Sequence, residues 1–290
     1  AGLMMYNTGA GILRAGGDSR RPLYFLCFSA VVNTLGDLVV VILFHMGVAG
    51  VAYATILSLA LSALLILYVL ARSDGDYRLI PRDLAISPPM LKDIMRIGMP
   101  AALQTAITSF SNIFVQAYIN GFGSACMAGW AAYGKLDQLM LLPMQSVNVA
   151  SMTFVSQNLG AKNLGRAKAG VRTALALSAS CTALLLIPLM LFARPMLSLF
   201  NADGEVLRYG VLFVRWVSPF YLFCCGFDIF AGALRGAGDS RAPMVIMLFS
   251  FVVTRQAYLY VASHLTASVV PIALGYPLGW GVCFTLMFFY

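Results

Sequence analysis

The sequence predicts an all-α, polytopic membrane bundle built from parallel six-helix repeats, the first of them truncated. Three observations carry that expectation. Sixty per cent of the 290 residues are apolar and only 10% are charged, against about 25% charge in soluble domains. Apolar runs long enough to cross a bilayer follow one another along nearly the whole chain. Two stretches are near copies: residues 11–22 read GILRAGGDSRRP and residues 232–243 read GALRGAGDSRAP.

The repeat is long. Gly11/Gly232, Leu13/Leu234, Arg14/Arg235, Gly17/Gly238, Asp18/Asp239, Ser19/Ser240, Arg20/Arg241 and Pro22/Pro243 share one offset of 221 positions, as do Phe28-Ser29 with Phe249-Ser250. Duplicated membrane bundles are mostly secondary transporters, with the substrate path between the halves.

Counting runs of about 20 apolar residues gives an opening stub and then eight spans, near 23–45, 49–71, 97–120, 125–156, 170–193, 209–233, 244–263 and 266–290. Pro143 is expected to kink the long fourth span. With the 14–22 turn on the cytoplasmic side, the inner segments hold Arg14, Arg20, Arg21, Arg72, Arg78, Arg82, Lys92, Arg96, Lys162, Arg166, Lys168, Arg172, Arg235 and Arg241, and the outer ones only Arg194 and Arg208. That asymmetry sets the orientation. Six spans separate the two copies, so both copies lie on one side and the halves are parallel.

Residues 1–71 are therefore read as the remainder of an N-terminal lobe and 97–290 as a C-terminal lobe. Residues 72–96, rich in charge and proline (Asp74, Asp76, Arg78, Pro81, Arg82, Asp83, Pro88, Pro89, Lys92, Asp93), are read as a cytoplasmic linker with a short amphipathic helix near 89–96. If the halves are equal, roughly 120 residues before the opening stub are expected to be missing.

The net charge of +8 is spread over loops, which fits a bilayer and gives no basic patch for nucleic acid. The six cysteines, Cys27, Cys126, Cys181, Cys224, Cys225 and Cys283, lie in apolar runs without a CxxC pair and read as core residues. His45 and His264 stand alone near span ends and read as structural. No cofactor or structural metal is expected.

Ordered motifs add a resemblance. They are the paired L-R-x-x-G-D-S-R-x-P turns, Asn33-Thr-Leu-Gly-Asp37, His45-Met-Gly-Val-Ala-Gly50, Gly98-Met-Pro100, Phe154-Val-Ser-Gln-Asn-Leu-Gly-Ala161 and Ala273-Leu-Gly-Tyr-Pro277. Together they resemble the multidrug and toxic compound extrusion (MATE) family along essentially the whole chain, from the end of the fourth family span through the twelfth. The resemblance implies two six-helix lobes around a V-shaped cavity. It also implies export of amphipathic, often cationic, compounds from the cell in exchange for H⁺ or Na⁺, by a monomer in the plasma membrane.

Charge inside hydrocarbon costs about 2.5–3.5 kcal/mol per residue on insertion scales, so Asp37, Lys135, Asp137, Asp228 and Arg255 are the candidate working residues. Asn33 and Asp37 share a helix face; amide oxygen and carboxylate suit Na⁺, and a carboxylate can also carry H⁺. The resemblance implies the same role, because one branch of the family uses an Asn-x-x-x-Asp pair on this span, with a further acid on the first span. An interhelical hydrogen-bonded pair is the plainer alternative.

Asp228, whose repeat counterpart is Asn7, is read as a cavity acid or as a helix–helix hydrogen bond. The other branch of the family carries an acid on the span that begins near Gly98-Met-Pro100; here that span offers Thr108 and no carboxylate. The stripe Gln104, Thr108, Asn112, Gln116 and Asn120 winds about 40° per step and reads as a pathway lining or as polar glue. Lys135, Asp137, Arg255 and Gln256 complete the candidate substrate cavity; Arg255 could pair with Asp228 or Asp137.

The turn residues Arg14, Asp18, Arg20, Arg235, Asp239 and Arg241 read as structural: arginines at helix ends, glycines in the turn, Asp and Ser as caps. A gating ion pair is the alternative.

Gly129–Lys135 mimics a phosphate loop but is followed by Leu136, and Gly236-Ala-Gly-Asp239 mimics a protease motif inside a basic turn. An intramembrane aspartyl protease built on Asp37 and Asp228 is a distant alternative, and a lipid-linked or polysaccharide flippase a nearer one. A transporter, not an enzyme, is expected.

Overall fold

The computed structural model describes residues 2–73, 77–266 and 268–290; Asp74 and Asp76 of the expected linker lie outside them. The described residues form helices α1 (Gly2–Ala15), α2 (Arg20–Ile42), α3 (Gly47–Ala71), α4 (Pro88–Asn120), α5 (Ser124–Gly160), α6 (Leu164–Leu191), α7 (Ala193–Ser198), α8 (Gly204–Val217), α9 (Tyr221–Gly236), α10 (Arg241–Leu248), α11 (Arg255–Leu265), α12 (Val269–Ala273) and α13 (Gly275–Phe289), with a π-helical turn at Phe249–Thr254 between α10 and α11. The fold is an all-α, multi-pass membrane bundle. Large apolar side chains such as Leu184, Leu191 and Val253 are exposed, as expected where the surrounding solvent is lipid.

Seven segments among the described residues are long and apolar enough to cross a membrane: Arg20–Ile42, Gly47–Ala71, Ser124–Gly160, Leu164–Leu191, Gly204–Gly236, Arg241–Leu265 and Val269–Phe289. The one span read from the sequence that is not among them, 97–120, is helical within α4, but its polar stripe keeps it out of that set.

The amphipathic helix expected near 89–96 is not separate. It forms the first turns of α4. Pro88 and Pro89 start that helix, where no N–H is needed, and Pro100 lies inside it rather than opening the span. Pro143 likewise lies inside an unbroken α5. Membrane helices tolerate such prolines because neighbours satisfy the freed carbonyl.

The chain divides into two compact units, residues 1–87 and 88–290. In the first, Tyr6, Ala10 and Leu13 of α1 bury against Ile66 and Leu70 of α3, and Tyr6 donates to the Pro22 carbonyl at 2.7 Å. Ser29 of α2 donates to the Ser58 carbonyl of α3 at 2.6 Å.

In the second unit, α5 packs against α6, α8 and α9. The chains approach closely at Gly129, where a Cβ would stand 2.7 Å from the Tyr209 Cβ and 2.9 Å from the Val206 carbonyl oxygen. Small residues at helix crossings allow this approach. The aromatic residues Trp130, Tyr133, Phe213, Tyr221 and Trp280 fill the core around it.

The two repeated turns share one conformation. Gly17 and Gly238 have φ of 90° and 91°, the region that favours glycine after a helix. Asp18 N and Asp239 N each donate at 2.9 Å, to the Leu13 and Leu234 carbonyls. Arg14 Nε donates to the Ala10 carbonyl at 3.1 Å and Arg235 Nε to that of Ala231 at 3.2 Å.

The aspartates alone cap the following helices. Asp18 Oδ1 accepts from Arg20 N and Arg21 N, and Asp239 Oδ1 from Arg241 N and Ala242 N. Neither Ser19 nor Ser240 caps through its side chain, which corrects the expectation for the serines: the aspartate one residue earlier already occupies the free N–H groups. The ion pair here is the local Arg21–Asp18 contact at 3.2 Å, while the side chains of Arg20 and Arg241 are exposed.

Candidate functional site

A cavity of about 520 Å³ opens within the second unit. Gln104, Thr108 and Asn112 of α4 line one side, and Asp137 of α5 and Asp228 of α9 another. Arg255 of α11 and the rings of Trp130, Tyr133, Tyr276 and Trp280 also line it. It combines apolar walls with a few convergent polar groups, in the size range of small-molecule sites.

The two acids are held differently. Tyr221 donates its hydroxyl to Asp137 Oδ1, and Tyr133 donates to the same oxygen at 3.3 Å; the two hydroxyls stand 2.9 Å apart. Asp228 Oδ1 accepts from Asn148 Nδ2 at 2.6 Å, across the α5–α9 crossing. The helix–helix hydrogen bond considered for Asp228 is thus present, and the residue lines the cavity as well.

Arg255 pairs with neither acid. Its Nη2 donates to Ser111 Oγ at 2.7 Å and Asn112 Oδ1 at 2.8 Å, and its Nε to the Phe251 carbonyl at 3.2 Å. The π-helical turn just before Arg255 is the kind of irregularity that recurs at working sites.

Lys135, Gln116 and Gln256 do not line the cavity. Lys135 is exposed; two positions from Tyr133 and from Asp137, it lies about 200° round the helix from each. Gln116 donates to Asn120 Oδ1 at 2.8 Å, so the polar stripe leaves the cavity after Asn112, as its drift dictates. Gln256 donates to Ser111 Oγ at 2.7 Å and to the Ser111 carbonyl at 3.1 Å. Gln104 is buried, with its Nε2 on Met247 Sδ.

Asn33 and Asp37 lie in the first unit, on α2. Gly36 beside them faces Ala54 of α3, where a Cβ would meet the Ala54 Cβ at 3.2 Å. Asn33 Nδ2 donates to Thr55 Oγ1 at 3.4 Å. Asp37 Oδ1 is buried and has no hydrogen-bond partner among the described residues. The interhelical pair considered from the sequence is therefore a bond from Asn33 to Thr55, with Asp37 left open.

Sequence reading overlooked Asn148, Tyr221, Ser111 and the aromatic walls. Asn148 was within reach: it follows Asp137 by eleven positions, three helical turns, and shares its face.

The MatE family model matches residues 100–261, more than half of the chain. The chain belongs to the MatE family. Among similar proteins are a "Probable multidrug resistance protein YpnP" of Bacillus subtilis, 27% identical over 258 residues, covering 88% of this chain and 57% of that protein, and an "FAD transporter" of Shewanella oneidensis, 29% identical over 259 residues, covering 85% and 55%.

A solved outward-facing multidrug resistance MATE family transporter matches 98% of this chain and 64% of its own with a TM-score of 0.89; at 22% identity it shows the fold alone. The chain thus spans 55–64% of the length of these relatives. The curated relatives are named as multidrug resistance and transport proteins rather than enzymes, so the intramembrane protease reading falls.

Proposed function

We propose that the protein is a secondary active transporter that exports amphipathic, often cationic, compounds from the cell in antiport with H⁺ or Na⁺, by alternating access. It sits as a monomer in the plasma membrane, with 1–71 in the N-terminal lobe, 97–290 in the C-terminal lobe and 72–96 in the cytoplasm. Asn33 and Asp37 hold the coupling ion, and the cavity of the second unit takes substrate. The relatives' names support the substrate class.

The observation that carries the coupling role is Asp37 Oδ1, a buried carboxylate oxygen with no partner among the described residues. A buried acceptor left unpaired is costly, and a proton or a sodium ion supplies what the protein does not. Thr55 holds the neighbouring Asn33 amide through its nitrogen, leaving the amide oxygen for a cation.

The test is ion-gradient-driven export of ethidium by cells expressing the intact protein and its Asp37→Asn variant at matched membrane levels. Asp37→Asn keeps the shape and removes the charge, so gradient-driven export is expected to be lost. Wild-type export by that variant moves the coupling role elsewhere.

A further inference from the structure

Arg255 is only 2% exposed, yet no carboxylate among the described residues lies within ion-pair distance of it. Its positive charge is met by neutral groups alone. Ser111 Oγ and Asn112 Oδ1 take the two N–H groups of Nη2 and the Phe251 carbonyl takes Nε. The guanidinium carbon lies 5.0 Å from the centre of the Tyr276 ring and 5.7 Å from that of Phe251.

These contacts fix the fork rigidly. They use three of its five N–H groups. Nη1 bonds nothing among the described residues and is not sealed from the outside, and Arg255 lines the cavity. A preorganised guanidinium with an open edge matches an oxyanion. A buried, unpaired charge is costly unless something completes it. The same cavity carries Asp137, whose Oδ1 is taken by two tyrosines while Oδ2 bonds nothing among the described residues and is likewise unsealed.

We infer that Arg255 is an anion subsite of the cavity, so that the preferred ligands are flat amphipathic zwitterions. Their carboxylate meets Nη1 of Arg255, their cationic group faces Asp137, and their ring system lies among Trp130, Tyr276 and Trp280. The inference rests on the proposed substrate role of this cavity and narrows its ligand class.

The repeat isolates the feature. The position equivalent to Arg255 in the first half is Thr34, and α2 runs through it as an unbroken α-helix. The guanidinium and the π-helical turn before it belong to the second half alone among the described residues.

The test compares rhodamine B, which carries a free carboxylate beside its cationic rings, with rhodamine B ethyl ester, in which that carboxylate is masked. Binding is read by fluorescence anisotropy on the purified protein in neutral detergent, where no lipid headgroup competes. Wild type is expected to favour the free acid by about tenfold, the worth of one charge-assisted contact of about 1.4 kcal/mol. Arg255→Gln is expected to bring the ratio to about one.

Because Arg255 is buried, that variant could fail to fold. Asn112→Asp covers this case: it is nearly isosteric and places an internal carboxylate on the guanidinium, so it too should bring the ratio of the two dyes to about one. A preference unchanged in Asn112→Asp, or in a folded Arg255→Gln, overturns the inference. Equal binding of the two dyes by wild type overturns it while leaving the substrate role of the cavity intact. Binding of neither dye overturns both.

Discussion

Asn148 donates a hydrogen bond to Asp228 at 2.6 Å, and one turn along α9 the absence of a side chain at Gly232 makes that bond possible. A Cβ at position 232 would overlap Asn148 Oδ1 and come within 3.1 Å of the Asn148 carbonyl oxygen. The crossing of α5 and α9 and the position of the cavity acid thus depend on one glycine.

Gly232→Ala is expected to destabilise the protein by about 1–3 kcal/mol, the usual cost of overpacking, and to shift Asp228. Its repeat counterpart is the internal control. A methyl added at Gly11 would meet nothing within 4 Å, so Gly11→Ala should be neutral or gain up to about 1 kcal/mol of helix propensity. Thermal unfolding of both variants in detergent checks this; equal effects would mean that the crossing is not tight.

Asp239 supplies a pH dependence. Hydrogen bonds, first from the Ala242 N–H and then from the Tyr290 hydroxyl and the Arg241 N–H, hold its carboxyl below the usual aspartate range, against a smaller opposing effect of burial. A depressed folded-state pKa gives stability that is present above the unfolded value of about 3.9 and lost as pH falls through the folded value. Asp239→Ala should therefore cost about 1 kcal/mol near neutral pH, as helix caps do, and almost nothing once the wild-type carboxyl is protonated. Melting curves of the two proteins should converge on acidification; a gap independent of pH would assign the effect to packing.

The bundle and its repeat were legible in the sequence because both are local signals. Hydropathy marks a span without knowledge of its neighbours, and the shared offset predicts that Gly17 and Gly238 make the same turn, as their φ angles show. Asp37 and Asp228 were legible because an acid in an apolar run is conspicuous. The partners were not. Asn148 meets Asp228 across 80 positions, and Arg255 meets Ser111 across 144; which polar groups meet depends on helix crossings that no spacing along one helix encodes. Lys135 misled for the same reason, since its charge is visible in sequence and its outward direction is not. The start of α4 was misread because a proline pair can close a linker or open a helix, and the helix it opens runs straight into the membrane span.

Orientation follows from loop charge and has a direct check. Arg78, Leu164, Met46 and Asp203 are all exposed. In a variant of the intact protein without native cysteines, a cysteine at position 78 or 164 should react with an impermeant maleimide only from the cytoplasmic side. A cysteine at 46 or 203 should react only from outside. The opposite pattern would invert the proposed topology.

Ser111 ties three elements of the cavity wall together and gives the sharpest stability test. Its hydroxyl donates to the Phe251 carbonyl at 2.6 Å and accepts from Arg255 Nη2 and Gln256 Nε2, both at 2.7 Å. A hydroxyl has one proton and two lone pairs, so every bond it can make is made. Phe251 lies in the π-helical turn, where its carbonyl is also the acceptor for Arg255 Nε. Ser111→Ala removes one group and leaves three with a lost partner in a buried site. Each buried group left short costs about 1–3 kcal/mol, although the second contacts that Arg255 and Gln256 retain hold the loss toward the lower end. Ser111→Thr retains the hydroxyl and should recover most of the stability. Ser109→Ala, on the same helix but exposed, should change stability little. Because Ser111 also fixes the Arg255 fork, Ser111→Ala should weaken rhodamine B binding more than binding of its ethyl ester, and Ser111→Thr should restore the difference. Thermal unfolding and dye anisotropy on the three variants read the two effects separately. A stable Ser111→Ala with wild-type dye preference would show that the hydroxyl neither supports the π-helical turn nor positions the guanidinium.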